Sequence, residues 1–518
     1  MVGMAFLVEL DHTAADGSDA RTERWSDTAV RPFAETDPDR PGAEWDERLI
    51  DPPTVTQEIG IDPTRDGGQT YGALALSNAD GALAGLYGRK LVEVRCYYGP
   101  AEATAFSAFR LWLHGRPTLP ERSVSAARPG RLLIGVYSLL LDLQDEIHTD
   151  RYTGANVGSA GYEGSSEDKD RVKPLAWGDL TGAHVPAALA NAVARVAQTS
   201  ALGHDGAVTV FSGGGNANLT WLTPQTGALF DAATPSATQG IEDRPRGLVR
   251  IGGSLTGAWT LGFRASAAAS CGAAAVIRAL LTRRGSGTIG ATLTAPPAGA
   301  DPTVGLWLPD AATYATTLQS LTRSIGGWLL PDTAGTWQLG LLSDPAAGTP
   351  AVEWTADDVV AVEPDDRELT RPVWEVTVRW GRLFKTFTRS DLAQSLWDTD
   401  EEKRLGQQWR EVVRSAPATK TVYGTDARKL TVETQLRTEG AAIALAERLL
   451  ACLGTRADGK PRESWSVTVE ATDAHLALGL GGVARFGFSP HITAANFLIR
   501  RVRPAQPRRS LITFGLWG

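Results

Sequence analysis

The stretch from Thr303 to Leu342 constrains the fold most, because three different periodicities succeed one another within it. TVGLWLP is an apolar run of the length of a buried strand. Asp310 follows as the expected N-cap, with a carboxylate able to accept from the free N–H groups of a first helical turn. Tyr314, Leu318, Leu321 and Ile325 then recur at spacings of four, three and four, which lines one helix face with apolar groups. Gly326 and Gly327 can close that helix in the left-handed conformation. Two apolar runs joined by Asp332-Thr333-Ala334-Gly335 read as a hairpin, with Trp337, Leu339 and Leu341 on its buried face. Strand, helix and hairpin make a small α/β unit.

Most of the remaining chain has the period of strands. Met4, Phe6, Val8 and Leu10 alternate with Ala5, Leu7 and Glu9. The polar segment Pro32 to Pro53 reads as a long loop. Further strands are expected at Tyr71 to Ser77, Leu91 to Tyr98, Phe106 to His114 and Leu132 to Leu143, with one helical turn at Leu83 to Tyr87. Turn clusters such as Ser77-Asn78-Ala79-Asp80-Gly81 separate them, a spacing that argues a barrel or sandwich. Asp150 to Lys173 is too polar and Gly/Ser-rich to hold a core, so it should wrap over a surface.

ALANAVARVAQ, Ala188 to Gln198, is weakly amphipathic, and Gly206 to Phe263 reads as short strands and turns. Cys271 to Arg284 is helical, with Ile277, Leu280 and Leu281 on one side. In the strand Val373 to Trp380, Trp374, Val376, Val378 and Trp380 share a face. Asp391 to Arg414 is mixed and its structure stays open. Glu439 to Leu453 is an amphipathic helix ended by Gly454. Trp465 to Glu470 alternates, Gly479 to Gly482 turns, and FLIRRVRP and SLITFGLWG read as two final paired strands. No fixed-period repeat is present.

A chain of 518 residues is longer than one core supports, so several domains are expected. Its 51 basic and 59 acidic residues, net −8, argue against a dedicated nucleic-acid binder. Cys96, Cys271 and Cys452 are few, distant and odd in number, which gives neither a disulfide framework nor a zinc ligand set. The start MVGMAFLVELDH lacks a basic n-region and does not read as a signal peptide. The longest apolar run, Leu132 to Leu143, is too short to span a bilayer.

Reaction chemistry is hard to find. Gly285, Gly287 and Gly290 spell G-x-G-x-x-G, but they follow a helix where a dinucleotide site would follow a strand, so a Gly turn is the better reading. His204-Asp205 lacks the further ligands of a metal-dependent hydrolase among only seven histidines. Asp357-Asp358 and Asp365-Asp366 evoke a glycosidase pair, yet adjacent acids on a loop point apart. Gly252-Gly253-Ser254-Leu255-Thr256 lacks the last glycine of a nucleophile elbow. Asn218-Leu219-Thr220 is a formal glycosylation acceptor without a secretion signal. Of sixteen tryptophans, Trp337, Trp374, Trp380 and Trp465 fall on the apolar side of strands, which suits core duty. No catalytic, cofactor-binding or metal-binding residue is assigned, and the expectation is that the chain is no enzyme.

The order of segments resembles a known family. VKPLAWGDLTGAHVP looks like the K-P-x-x-x-G junction of the tail hub, or baseplate hub, proteins of long-tailed bacteriophages and gene transfer agents. TVGLWLPDAATYATTLQSLTRSIGGWLLPDTAGTWQLGLL is similar to their α/β hub domain. ALGLGGVARFGF, FLIRRVRP and LITFGLWG are similar to their closing β module. Gly206 to Arg264 matches no piece of that family.

The resemblance implies a mainly β, multidomain fold: two tail-tube-like β-barrels, a small α/β domain and a C-terminal β module. The implied division is 1–165, an N-terminal tube-like barrel; 166–265, a β-rich inserted domain; and 266–350, the α/β hub domain. Residues 351–460 would form a second tube-like barrel with a helix, and 461–518 a small β domain. It implies a virion protein at the tail tip, assembled in the host bacterial cytoplasm. Three copies would close a ring and present six barrels to a six-fold tube. Implied partners are the distal tail protein ring, the tape measure protein and tail tip or fibre proteins, with indirect contact to the host envelope. DNA would pass through the channel without specific binding. The competing readings are a carbohydrate-degrading tail protein, which needs a convergent acid pair in a Trp-lined cleft, and a sugar-binding receptor module, which needs an exposed aromatic groove in 206–264.

Overall fold

The computed structural model describes residues 4–30, 33–63, 67–125, 128–158, 160–254, 259–285, 301–333, 335–365, 370–504 and 511–518. Its first strand, β1 (Met4–Thr13), is apolar on both faces. Phe6, Val8 and Leu10 enter a core with Trp25, Val94 and Leu132, while Ala5 and Leu7 pack with Phe33, Trp45 and Phe106 on the other side. A strand buried on both faces must lie inside a sheet.

That sheet contains β2 (Arg21–Ser26), β3 (Asp46–Glu47) and β4 (Leu49–Asp51). Next in the chain, β5 (Val55–Glu58) and β6 (Gly68–Tyr71) form a hairpin that leaves it. β7 (Ala73–Ser77), β8 (Lys90–Pro100), β9 (Arg110–Pro117), β10 (Glu121–Ser125) and β11 (Arg128–Tyr137) complete it. The order is β3-β2-β1-β8-β9-β11-β7-β4, with β10 on β11. Only Arg48 separates β3 from β4, so the ends of the strand path meet and the sheet curls into a nearly closed barrel. The expected strand through Leu143 stops at Tyr137. There the Ser138 hydroxyl accepts from the Leu140 N–H at 3.2 Å and starts a 3₁₀ helix, Leu139–Gln144. Phe106–Ala108 is also 3₁₀, and the Asp37 carboxylate accepts from the Phe106 N–H.

The inserted region runs through β12 (Leu175–Gly178), β13 (Val185–Pro186), β14 (Ala188–Asn191), β15 (Val196–Gln198) and β16 (Asp205–Ser212). It continues with β17 (Gly215–Asn216), β18 (Thr220–Trp221), α1 (Ala228–Ala232), β19 (Gln239–Asp243), β20 (Leu248–Ile251) and β21 (Trp259–Arg264). Two sheets, β13-β21-β16-β17 and β14-β15-β20-β19-β18, supply its strands, and Val208, Val210, Val249, Leu261 and Phe263 form a shared core. The weakly amphipathic ALANAVARVAQ is therefore the β14–β15 hairpin. The Asn191 carboxamide decides this by accepting from the Ala194 N–H at 2.9 Å and donating to the Gly161 carbonyl at 2.8 Å. The polar segment 150–173 wraps over the same hairpin. Tyr152 Oη donates to Gln198, and the Asn156 amide to the Ala190 carbonyl.

The α/β unit follows as α2 (Ala273–Arg284), β22 (Gly305–Leu308), α3 (Tyr314–Ser324), β23 (Gly327–Pro331) and β24 (Trp337–Leu341). β22 pairs antiparallel with β12, which ties the insert to the unit. Tyr314, Leu318, Leu321 and Ile325 are all buried, as their spacing requires. The N-cap is Thr313, however, not Asp310. The Tyr314 N–H donates to the Asp145 carbonyl and the Ile147 N–H to the Ala312 carbonyl, which keeps 312–313 extended and delays the helix. Asp310 is left exposed. In the hairpin turn Asp332 accepts from the Thr336 N–H; Ala334 lies outside the described residues.

After β25 (Val352–Trp354) and β26 (Val359–Pro364) come β27 (Val373–Trp380), α4 (Asp400–Leu405), β28 (Arg410–Ser415), α5 (Pro417–Tyr423), β29 (Arg428–Glu433) and α6 (Glu439–Leu453). The chain ends with β30 (Ser464–Glu470), α7 (Asp473–Leu476), β31 (Val483–Phe488), β32 (Ile492–Pro504) and β33 (Leu511–Trp517). The strands of 351–460 go to two sheets. β25 and β26 join the last four strands in the order β25-β31-β32-β33-β30-β26. Residues 355–358 alone separate its two ends, so this path too curls, around Trp354, Val467, Phe486, Phe497 and Phe514. β28-β27-β29 is a separate sheet, because Val376, Val378 and Trp380 share their core with α3 and α6.

Trp374 departs from the alternation. The register of β27 on β29 shifts between Val373 and Glu375, and this bulge turns Trp374 out of the core. The Lys420 and Lys429 ammoniums sit over its ring, 4.5 and 4.8 Å from the centroid. Among the described residues no helix is long and apolar enough to cross a membrane.

Candidate functional site

The two curled sheets are joined by a junction that no local motif announces. β5 pairs antiparallel with β32, so a hairpin from the first half of the chain extends the sheet formed by its end. The Ile59 N–H donates to the Arg500 carbonyl at 2.8 Å. The buried Arg500 guanidinium binds the carboxylates of Glu58 and Asp365, and Arg501 adds a 3.0 Å bond to Asp365. Burying a guanidinium is costly unless opposite charge meets it, and here two carboxylates do. Just beyond, buried Asp62 binds Arg428, the first residue of β29, and the Gln57 and Gln69 amides donate to the Pro331 carbonyl at 3.0 and 3.2 Å. Ile59 and Ile61 enter the core of the α/β unit. One short strap thus touches the second curled sheet, the three-stranded sheet and the β23–β24 hairpin.

A second charge network lies on the first barrel. Glu9 is 1% exposed, accepts from Arg40 at 2.6 and 2.8 Å and from Arg24 at 3.1 Å, and lies beside Tyr97 Oη. Burial alone would push its carboxyl up, but Arg40, Arg24 and Arg95 outweigh that and hold it below the usual range. Burial, reinforced by Glu9, pushes the Tyr97 phenol up to about 12.

The residues singled out from the sequence do not converge. Gly285 caps α2 in the left-handed conformation, φ 66°, while Gly287 and Gly290 lie outside the described residues. His204 is buried between the Thr199 hydroxyl, 3.0 Å away, and Glu242, whereas Asp205 faces Arg264. Asp358 caps its own turn through Thr355. Asp357 is exposed, Asp365 belongs to the Arg500 junction, and Asp366 lies outside the described residues. Gly252 and Gly253 press against the carbonyls of Pro235, Ser236 and Ala237; Leu255 and Thr256 are not among the described residues. Asn218 sits exposed at φ 50°. Among the described residues no group of three or more His, Cys, Asp or Glu could hold a metal ion, and all three cysteines are buried and free. Every aromatic of 206–264 is buried or half-buried, so the insert offers no exposed aromatic groove among its described residues. Near the end of the chain Arg500 and Arg501 pair with acids and Arg503 is exposed.

Sequence reasoning missed the junction because its partners are 442 and 366 positions apart. The one signal was the set of arginines, Arg500, Arg501 and Arg503, that follows the apolar run Phe497 to Ile499 in β32.

No protein-family model matches the sequence, and no curated protein does. Comparison with solved structures finds similarity over the whole chain to phage-type tail proteins. The tail protein from Neisseria meningitidis MC58 is 11% identical, with 100% of this chain and 97% of that one covered at a TM-score of 0.42. The 43 kDa tail protein of prophage MuSo2 from Shewanella oneidensis is 10% identical, with 98% of each chain covered at 0.36. Prophage tail protein gp18 from Listeria monocytogenes EGD-e is 9% identical, with 99% and 94% covered at 0.36.

Proposed function

We propose that this chain is a structural protein of a phage-type tail. In this reading it is the hub that closes the distal tube, links the distal tail ring and tape measure to the tail tip or fibres, and opens for DNA. It acts without enzymatic chemistry. Three copies form a ring, and its two curled sheets are the units that stack on a six-fold tube.

The observation that carries the reading is the junction. Two curled β-sheets, one from each end of the chain, are fixed to each other and to a central α/β unit by β5–β32 pairing and the Arg500 ion bridge. A part that must transmit load between two stacked rings needs such a rigid connection, whereas a binding cleft or a reaction centre does not. The order of the resembling segments supports it: Thr303 to Leu342 holds β22, α3 and the β23–β24 hairpin, and the closing segments hold β31, β32 and β33.

The test is a reconstruction of the assembled particle with this chain labelled. Three copies around the axis at the distal end of the tail tube are expected. A single copy, a six-fold ring, or a position away from the tail overturns the proposal.

A further inference from the structure

The three-stranded sheet carries arginines that make no ion pair among the described residues, although Glu433, Glu401 and Asp179 lie within electrostatic reach of them. Arg382 follows β27, Arg410 opens β28 and Arg437 follows β29, so all three lie at one end of the sheet. The Arg382 guanidinium lies over the rings of Phe384 and Trp409, 4.9 and 5.4 Å from their centroids, and its buried Nε has no hydrogen-bond partner among the described residues. Arg410 lies over Trp380 at 5.1 Å. Among the described residues Arg437 donates only to backbone carbonyls, those of Arg382 and Thr181, at 3.1 and 2.9 Å. The nearby acids are engaged elsewhere: Glu433 by Arg379, Glu401 by Arg404, and Asp179 by the Thr181 N–H. Stacking on aromatic faces orients guanidiniums without neutralising them.

The complementary feature lies on the same chain. β26 ends its strand path, with β30 as its only strand partner among the described residues. Its residues Val360, Ala361 and Glu363 are exposed, Val360 by 56%, and Asp357 is exposed in the turn before it. Neither Asp357 nor Glu363 makes an ion pair or side-chain hydrogen bond among the described residues. Two unpaired carboxylates therefore flank an exposed apolar stretch on a sheet edge, a surface natural proteins usually cover.

We infer that the Arg382–Arg410–Arg437 patch of one copy is the docking site for the β26 edge of a second copy. The carboxylates of Asp357 and Glu363 meet the unpaired guanidiniums, and Val360 covers the aromatic rings. Charge favours this occupant: the chain is net −8, so an unpartnered basic patch attracts another copy. Nucleic acid is the weaker fit, because bases stack on free aromatic faces and these already carry guanidiniums. A contact between two different surfaces is head-to-tail, the kind that closes rings. The inference rests on the hub reading and adds the surfaces through which copies meet.

Sedimentation equilibrium of the full chain at low and physiological salt tests it. The patch variant Arg382→Glu with Arg410→Glu, and the edge variant Asp357→Arg with Glu363→Arg, should each weaken self-association at least about tenfold. Thermal melts confirm that both fold; the edge variant alters only exposed positions. Mixed in equal amounts, the two should associate again, because each charge reversal then meets its opposite. Wild-type self-association unaffected by either change, or a mixture that stays dissociated, overturns this contact and leaves the hub reading standing. A wild-type chain monomeric at both salts, and one copy at the tail tip, defeat both. A single-stranded oligonucleotide retained at physiological salt by the wild-type chain but not by the patch variant gives the site to nucleic acid and overturns the inference.

Discussion

The Ile59 N–H donates to the Arg500 carbonyl across 2.8 Å, while the Arg500 side chain binds the Glu58 carboxylate. Backbone and side chain of one residue thus grip two consecutive residues of a strap that left the first barrel only a few positions earlier. The backbone bonds fix the strap in register with β32, and the ion pair places charge where misregister would bury it alone. Movement of one curled sheet must therefore carry the other.

Replacing that guanidinium should be among the most damaging single changes in the chain. Arg500→Met leaves Glu58 and Asp365 facing each other around an apolar side chain, a loss of roughly 3 kcal/mol. Changing all three together, with Glu58→Gln and Asp365→Asn, should recover much of it, since no uncompensated charge remains. Urea unfolding measures both. A single variant as stable as the parent would show that the bridge is incidental.

The last strand is the next test. β33 lies between β30 and β32, and Ile512, Phe514, Leu516 and Trp517 are each at most 1% exposed. Burial of each such side chain stabilises by roughly 1.5–3 kcal/mol, and removing the strand also opens two ladders. Deleting residues 511–518 should give insoluble protein or a sharply lower Tm. A truncated chain that melts like the parent would mean that the curled sheet closes without it.

The chain should degrade neither peptidoglycan nor capsular polysaccharide. The carboxylates that could suggest a glycosidase have other duties: Asp358 caps a turn and Asp365 neutralises Arg500. Product release from purified wall or capsule, abolished by Asp357→Asn or Asp365→Asn with the fold intact, would overturn this.

What could be read from the sequence follows the range of the interactions involved. Ile512, Phe514 and Leu516 alternate, and Tyr314 to Ile325 repeat at helical spacing, because near neighbours decide which face is apolar; all are buried. Trp374 was misplaced because a bulge at that residue, between Val373 and Glu375, inverts the parity on which alternation depends. Thr313 displaced Asp310 as the cap because Asp145 and Ile147, distant in sequence, hold the preceding residues extended. The strands of 351–460 carry no mark in their composition of which ones leave for the last sheet. The junction was the least legible feature, since Glu58, Asp365 and Arg500 read singly as ordinary surface charges.

His184 makes stability depend on pH. It sits in the insert at φ 47°, 1% exposed, with Nδ1 3.0 Å from the Thr260 hydroxyl. Its ring packs against Phe211 and, across the contact with the segment after β27, against Phe387, at 4.2 and 5.3 Å. Burial lowers its pKa from 6.5 to about 4, with Arg404 adding to the effect and Glu401 opposing it. Between those values the unfolded chain holds a proton that the folded chain does not. Stability is therefore complete above pH 6.5 and falls progressively until pH reaches about 4, by roughly 3 kcal/mol in all. His184→Asn, a residue that tolerates the left-handed backbone, should be less stable at every pH through lost ring packing. It should nevertheless lose less on acidification, because this proton no longer distinguishes the two states. Urea midpoints measured every half unit from pH 7 to 4 separate the two effects. Parallel curves for parent and variant would show that His184 is protonated in the folded chain and that its burial does not govern the acid response.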